Sequence, residues 1–284
     1  MLARNGFPPG VPCWIDLLQP DADATMAFYA DLFGWTYQVR TPADAPFRYA
    51  YALLDGEIAA AVGTPPPGDA APEGWTGYVW VESADATAAA VEANGGKILN
   101  PPADIPRAGR SALCADPDGA VFGLWQAAEN RGIQATNVPG SWNFTILHTA
   151  DPTGAERFYG AVFGWVRERF ELPDGTEIGS YFRQPGYGDF LAAADPEIRE
   201  RQAADQAPGG FADAVALLGP DEGAGNRWGA TFAVADADAA VTRATELGAT
   251  VVVPLFDTPY TREGVVRDPQ GATLTLSEYR PPTG

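Results

Sequence analysis

The sequence is poor in the side chains that most metal and redox chemistry needs. Among 284 residues there is one histidine, His148, and there are two cysteines, Cys13 and Cys114. Two cysteines cannot staple a chain of this length, so a disulfide scaffold is excluded and reduced thiols are expected. Basic residues are scarce as well: 18 Lys and Arg stand against 37 Asp and Glu, a formal net charge of −19. Nucleic acid and anionic membrane both require clustered cations, so neither is expected as a partner. The charge favours a neutral or cationic ligand instead. No run of about 18 apolar residues occurs, so no membrane-spanning helix is expected. The stretch Met1 to Pro12 lacks the apolar core of a signal peptide, and a cytoplasmic protein is expected.

What is present is a repeat. Trp14-Ile15-Asp16-Leu17, Asp21, Phe28-Tyr29 and Phe33-Gly34-Trp35 recur, 130 positions on, as Phe144-Thr145-Ile146-Leu147, Asp151, Phe158-Tyr159 and Phe163-Gly164-Trp165. Further along, Val79 to Val81 with Gly95-Gly96 matches Phe232 to Val234 with Gly248, and Asp116-Pro117-Asp118-Gly119 matches Asp268-Pro269-Gln270-Gly271, now at an offset of 152 or 153. The second half has therefore gained about twenty residues, placed by composition within Ala192 to Asn226 and expected as a loop with a short helix. A linker, Ala127 to Ser141, separates two domains, 1–130 and 138–284. At 46% apolar residues, each half can bury a core.

Each half reads as strand, helix and three strands, twice over. Cys13 to Leu18 is a short apolar strand ended by Gln19-Pro20-Asp21. Asp21 or Asp23 caps the following helix, whose Ala24, Ala27, Phe28, Asp31 and Leu32 keep three- and four-residue spacing. Gly34 ends that helix where a left-handed residue is needed. Strands follow at Trp35 to Val39, Phe47 to Leu54 and Glu57 to Val62, the last two joined by Asp55-Gly56. The second unit runs from Tyr78 to Val81 through the helix Ala84 to Ala93 to strands at Lys97 to Asn100, Arg110 to Ala115 and Val121 to Gln126.

Four such βαβββ units with FY…FGW and DPxG landmarks resemble the vicinal-oxygen-chelate superfamily of glyoxalases, bleomycin-resistance proteins and dioxygenases. The resemblance covers almost the whole chain. It is nearest to two-domain actinobacterial members, which include accessory proteins of anthracycline pathways. It implies an α+β fold of two tandem domains, each with two units forming a half-barrel around a cavity. It also implies metal-ligand positions on the first and last strands of the units. These fall on Trp14, Thr76 and Gly123 in the first half and on Phe144, Gly229 and Thr275 in the second. None is a usual ligand, whereas a divalent metal needs three or more donors. No metal and no cofactor are therefore expected.

Strand alternation then predicts what lines each cavity. In the first half Trp14, Asp16, Thr76, Tyr78, Trp80, Gly123 and Trp125 share a face, and aromatic rings across a gap suit a flat ligand. Asp16 and Glu82 stand ready for an amine at its mouth. In the second half the face carries Phe144, Ile146, His148, Thr231, Thr273, Thr275 and Ser277. Asp16 and His148 are the candidates for acid–base catalysis if the protein is an enzyme. Trp35, Trp165 and the two Phe-Tyr pairs read as core, Cys13 as a buried thiol, and Arg107 and Arg110 as surface groups or gates. The reading favours metal-free binding of a planar hydrophobic molecule, an anthracycline-like polyketide, on behalf of a tailoring oxygenase, by a monomer or homodimer. The alternatives are a metal-independent enzyme, a metal-dependent glyoxalase or dioxygenase, and an interaction module with collapsed cavities whose extra segment meets a partner.

Overall fold

A computed structural model describes residues 6–70, 72–171, 177–205, 207, 210–221 and 225–280. The first half contains β1 (Pro12–Leu18), α1 (Ala22–Phe33), β2 (Thr36–Val39), β3 (Tyr49–Leu54), β4 (Glu57–Gly63), β5 (Trp75–Trp80), α2 (Ala84–Ala93), β6 (Lys97–Ile105), β7 (Gly109–Ala115) and β8 (Val121–Ala127). Its eight strands form one open sheet in the order β2-β3-β4-β1-β5-β8-β7-β6. The central pair, β1 and β5, is antiparallel, and each is flanked by a parallel neighbour from its own unit. β6 runs on through Pro101 and Pro102, beyond its expected end at Asn100, because an outermost strand can spare ladder donors.

The second half repeats this order with β9 (Trp142–His148), α3 (Pro152–Phe163), β10 (Val166–Glu171), β11 (Glu177–Arg183), β12 (Ala214–Gly219), β13 (Arg227–Ala233), α6 (Ala237–Glu246), β14 (Thr250–Asp257), β15 (Thr261–Arg267) and β16 (Thr273–Tyr279). The extra residues differ from the expected loop. They sit between β11 and β12, where the first half has the tight Asp55-Gly56 turn. They form α4 (Tyr187–Ala194), α5 (Ile198–Ala204) and a 3-10 turn at Phe211–Asp213. Residues 206, 208–209 and 222–224 of the predicted loop lie outside the described residues. No helix among the described residues is long and apolar enough to cross a membrane.

Capping follows the sequence closely. Asp21 and Asp151 accept from the Ala24 and Gly154 amides at the starts of α1 and α3, and Gly34 and Gly164 end these helices at φ of 75° and 76°. A β-carbon there would be strained, so the glycine of FGW is a stop signal in both halves.

The other landmarks hold the halves together. Tyr29 on α1 donates to Asp268 Oδ2 in the second half (3.0 Å) and accepts from Trp75 Nε1 (3.1 Å). Reciprocally, Tyr159 on α3 donates to Asp116 Oδ2 in the first half (2.9 Å) and accepts from Trp228 Nε1 (3.0 Å). The other oxygen of each aspartate closes its own DPxG turn, taking the amides of Asp118 and Ala120 or of Gln270 and Ala272. Trp35 donates to the Gly140 carbonyl and Trp165 to the Gly10 carbonyl. The rings of Phe33, Trp35 and Trp75 pack on Phe232, while Phe158 and Phe163 pack on Phe122. The helix-bearing faces of the sheets are thus turned toward each other, leaving the concave faces directed outward.

In the first half the core continues through the sheet onto the concave face. Trp14 stacks beside Trp125 at a centroid distance of 6.3 Å and meets Tyr51 edge-on. The ring of Tyr78 occupies the space that Gly123 leaves: a β-carbon at 123 would stand 2.0 Å from it. Asp16 is 4% exposed and accepts from both Tyr49 Oη (2.9 Å) and Tyr78 Oη (3.2 Å), while Trp14 Nε1 donates to Tyr49 Oη. Burial raises Asp16 to a pKa of about 7, against the pull of the two tyrosine hydroxyls.

Two predictions follow from this packing. Tyr159→Phe removes the tyrosine donor to Asp116 Oδ2 and the acceptor of the Trp228 indole N–H, while Tyr29→Phe removes the acceptor of the Trp75 indole N–H and leaves Asp268 Oδ2 with Gln19 Nε2 as donor. Each substitution is expected to lower unfolding free energy by about 1–3 kcal/mol in urea denaturation; unchanged midpoints would show that the clasps are dispensable. For Asp16, the folded carboxyl keeps its proton up to about pH 7, whereas an unfolded one loses it near pH 4. The unfolded state is therefore favoured as pH rises between these values, by roughly 4 kcal/mol in all. The stability of wild type relative to Asp16→Asn should fall from pH 4 to pH 7 and level off above it. A pH-independent difference would refute the buried protonated carboxyl.

Candidate functional site

A large hollow lies in the second half. A cavity of about 1000 Å³ opens on the concave face of the β9–β16 sheet. Phe144, Thr231, Ala233 and Ser277 lie along its floor, and the inserted segment covers it with Tyr187 and Leu191 of α4, Ile198 of α5 and Phe211. The N-terminal segment and the linker, through Val11, Pro12, Ile133 and Pro139, close one wall, and Tyr260 and Tyr279 stand on another. The lining is mainly apolar, and one cluster of its polar groups lies on and beside β15 and β16. There Glu263 Oε1 accepts from Thr261 Oγ1 (2.8 Å) and Ser277 Oγ (3.0 Å), and Thr261 is linked to Thr258 at 2.7 Å. Thr231 is 3% exposed, and its hydroxyl has no hydrogen-bond partner among the described residues.

The physical reason for one filled face and one hollow face is side-chain volume at equivalent registers. Tyr78 pairs with Gly123, and Trp80 with Trp125; their counterparts are Thr231 with Thr275, and Ala233 with Ser277. Two indoles and a phenol are replaced by a methyl and small hydroxyl side chains. The aromatic set expected to sandwich a ligand thus fills its own space. Trp14 and Trp125 are both buried, with ring centroids 6.3 Å apart, and Thr76 is buried. Trp80 is covered by Phe7 and by the Arg131 guanidinium. Asp16 is tied into the tyrosine network, and Glu82 is exposed on the surface.

Of the second-half candidates, Phe144 and Thr231 line the cavity together with Ser277, whereas Ile146, His148 and Thr275 are not among its lining residues. His148 stands at the end of β9, with Nδ1 3.1 Å from the Pro220 carbonyl, beside Gly219 and Gly229. The structure brings neither Asp16 nor His148 into the cavity. Arg110 pairs with Asp85 and Asp104, and Arg107 with Glu129, so both serve the surface. Sequence reasoning missed Glu263, Tyr187, Leu191 and Phe211. The available signal was the small size of Thr231, Ala233 and Ser277 beside an insertion long enough to roof them.

The register also tests whether a divalent metal fits. Across the centre of the first sheet run the rows Ala61-Asp16-Thr76 and Trp14-Tyr78-Gly123. The second sheet has Leu217-Ile146-Gly229 and Phe144-Thr231-Thr275. These central rows offer no set of three ligand-type side chains in either sheet, so the residues at these positions do not fit a divalent metal. Asp236, Asp238 and Glu278 approach one another elsewhere, at the surface. They are engaged otherwise: Asp236 and Glu278 accept from helix-start amides of α6, and Asp238 pairs with Arg262 and Arg280.

Comparison with known proteins agrees with this architecture. Residues 13–124 match the family described as the glyoxalase/bleomycin resistance protein/dioxygenase superfamily, and residues 144–277 match a glyoxalase-like domain. The chain is 34% identical over 286 residues to CFP32 of Mycobacterium tuberculosis, named as a candidate glyoxylase, with 99% of each chain covered. It is also 34% identical over 287 residues to the anthracycline biosynthesis protein DnrV of Streptomyces peucetius, covering 96% of this chain and 95% of that one. Among solved structures, the Mn(II)-bound glyoxalase of Novosphingobium aromaticivorans superposes with a TM-score of 0.59 at 16% identity, covering 95% of this chain and 82% of that one. The 2,3-dioxygenase LapB of Pseudomonas sp. KL28 does so with a TM-score of 0.54 at 13% identity, covering 98% and 93%. The chain belongs to the glyoxalase/bleomycin resistance protein/dioxygenase superfamily, as a tandem of two such domains in one polypeptide.

Proposed function

We propose that the protein binds a planar, hydrophobic, polycyclic molecule in the second-half cavity without a metal ion. The observation that carries this reading is the cavity itself. Its volume of about 1000 Å³ stands at the upper end of the usual range for small-molecule sites. Phe144, Phe170, Tyr187 and Phe211 give it flat apolar surfaces, each able to add about 0.5–1.5 kcal/mol by stacking. The kinship with proteins named for anthracycline biosynthesis supports an aromatic polyketide, held for or withdrawn from a tailoring oxygenase. Binding is favoured over catalysis because the candidate acid–base residues Asp16 and His148 do not line the cavity.

A hydroxylated anthraquinone titrated calorimetrically into chelator-treated protein is expected to bind with one site per chain. Ala233→Trp, which gives the cavity floor the indole that Trp80 supplies in the first half, should cut affinity at least tenfold. Thr149→Ser, outside the cavity lining, serves as the folded reference. Undiminished affinity in Ala233→Trp would place the ligand elsewhere, and heat appearing only after a divalent metal is restored would refute metal-free binding.

Thr231→Val tests the floor in a second way. Removing a buried hydroxyl without a partner should stabilise the unliganded protein by about 1 kcal/mol and weaken the anthraquinone several-fold. Thermal denaturation with and without ligand reads both effects. A variant unchanged in both respects would remove Thr231 from the site.

A further inference from the structure

The polar groups of this cavity are one-sided. Its lining holds three carboxylates, Asp205, Glu263 and Glu278, and, among the described residues, no Lys, Arg or His. Two of the three are already engaged. Glu278 accepts from the Ala237 amide at the start of α6 and pairs with Arg280. Asp205 faces Tyr279 and lies in the field of Arg201. Glu263 differs: among the described residues its contacts are the two hydroxyls of Thr261 and Ser277, both on Oε1, and it has no ion-pair partner. The neighbouring Arg262, on the opposite side of β15, is held by Asp238 and Asp257.

A half-buried carboxylate in an apolar hollow is stabilised by a cation, and this wall supplies none. A second and independent feature of the floor points to a ligand. Thr231, more than nine-tenths buried, has a hydroxyl with no partner among the described residues. The carboxylate on the wall can only accept, whereas the hydroxyl on the floor can donate or accept, so the charge preference of the cavity is set by Glu263. A carboxylate-bearing ligand would meet Glu263 with, among the described residues, no ion-pair partner to offset the repulsion.

We infer that the cavity selects a cationic ligand, a protonated amine carried on a flat hydrophobic body, and that Glu263 receives its ammonium group. The inference rests on the proposed small-molecule binding and adds the charge of the ligand to it. Glu263 is a specificity determinant here, since the apolar body is held by the aromatic and aliphatic walls and Glu263 distinguishes what is attached to it.

The test uses three probes with one ring system: 2-(aminomethyl)anthracene, 2-(hydroxymethyl)anthracene and anthracene-2-carboxylate, each titrated at pH 7 against the full chain and followed by anthracene fluorescence. The expected order is ammonium over hydroxymethyl by at least tenfold, with the carboxylate weakest. In Glu263→Gln, whose amide oxygen still accepts from Thr261 and Ser277, the ammonium should lose at least tenfold while the hydroxymethyl probe keeps its affinity within twofold. Glu92→Gln removes the same charge from the exposed face of α2 and should leave the order intact, separating a local pair from the overall charge of −19. Equal binding of the ammonium and hydroxymethyl probes to wild type would overturn the inference. So would a preference that survives Glu263→Gln or that falls equally in Glu92→Gln. Failure of all three probes to bind would overturn the small-molecule reading as well, an outcome distinct from binding without charge preference.

Discussion

The reciprocal tyrosine clasps are the constraint on which the rest of this architecture depends. Each aspartate of a DPxG turn has two jobs: one oxygen closes its own turn, and the other receives a tyrosine from the opposite half. Both interactions are buried, and each tyrosine also accepts from a tryptophan of the opposite unit's central region. An unfilled position in such a chain of donors and acceptors would leave a polar group stranded away from water. The two sheets are therefore fixed with their helix-bearing faces together. Their concave faces are left for whatever the strands present.

What the strands present differs between halves although the backbone does not. The ladders around β1 and β5 have the same pairings as those around β9 and β13. With the frame held constant, the contents of each concave face become a question of volume. Trp14, Tyr78, Trp80 and Trp125 consume their space, and Gly123 is needed because the Tyr78 ring lies over it. Phe144, Thr231, Ala233 and Ser277 do not consume theirs. Interiors tolerate few voids, so an open sheet face of this size needs a cover. The helices α4 and α5 provide it where the first half has a two-residue turn.

Much of this was legible in the sequence, because local rules and the internal repeat agreed. The caps at Asp21 and Asp151, the glycine stops and most of the first-half strands lie where spacing placed them. The long-range meaning of the landmarks was not legible. Phe28-Tyr29 and DPxG read as a core pair and a turn, and nothing in a linear pattern shows that Tyr29 meets Asp268 across 239 residues. Which of the two candidate faces is open was not legible for a related reason. Parity says which side chains share a face, but it does not say whether their summed volume fills the space in front of them. Aromatic residues facing inward imply a binding surface only if space is left in front of them, and in the first half Trp14 and Trp125 are both buried.

Two carboxylates make the contrast between the halves concrete. Asp16 is enclosed by Tyr49, Tyr78 and Trp14, and the cost of burying its charge raises its pKa to about 7, so the protein meets that cost by keeping the proton. Its role is complete within the fold. Glu263 also collects two hydroxyl donors, but it stands on the wall of a hollow large enough for another molecule. The same chemical group is thus structural where the sheet face is filled and available where it is empty. The distinction arises from the residues around it, notably the exchange of Tyr78 and Trp80 for Thr231 and Ala233. A search for function in this fold is better directed to where side-chain volume is missing than to where reactive or aromatic side chains accumulate.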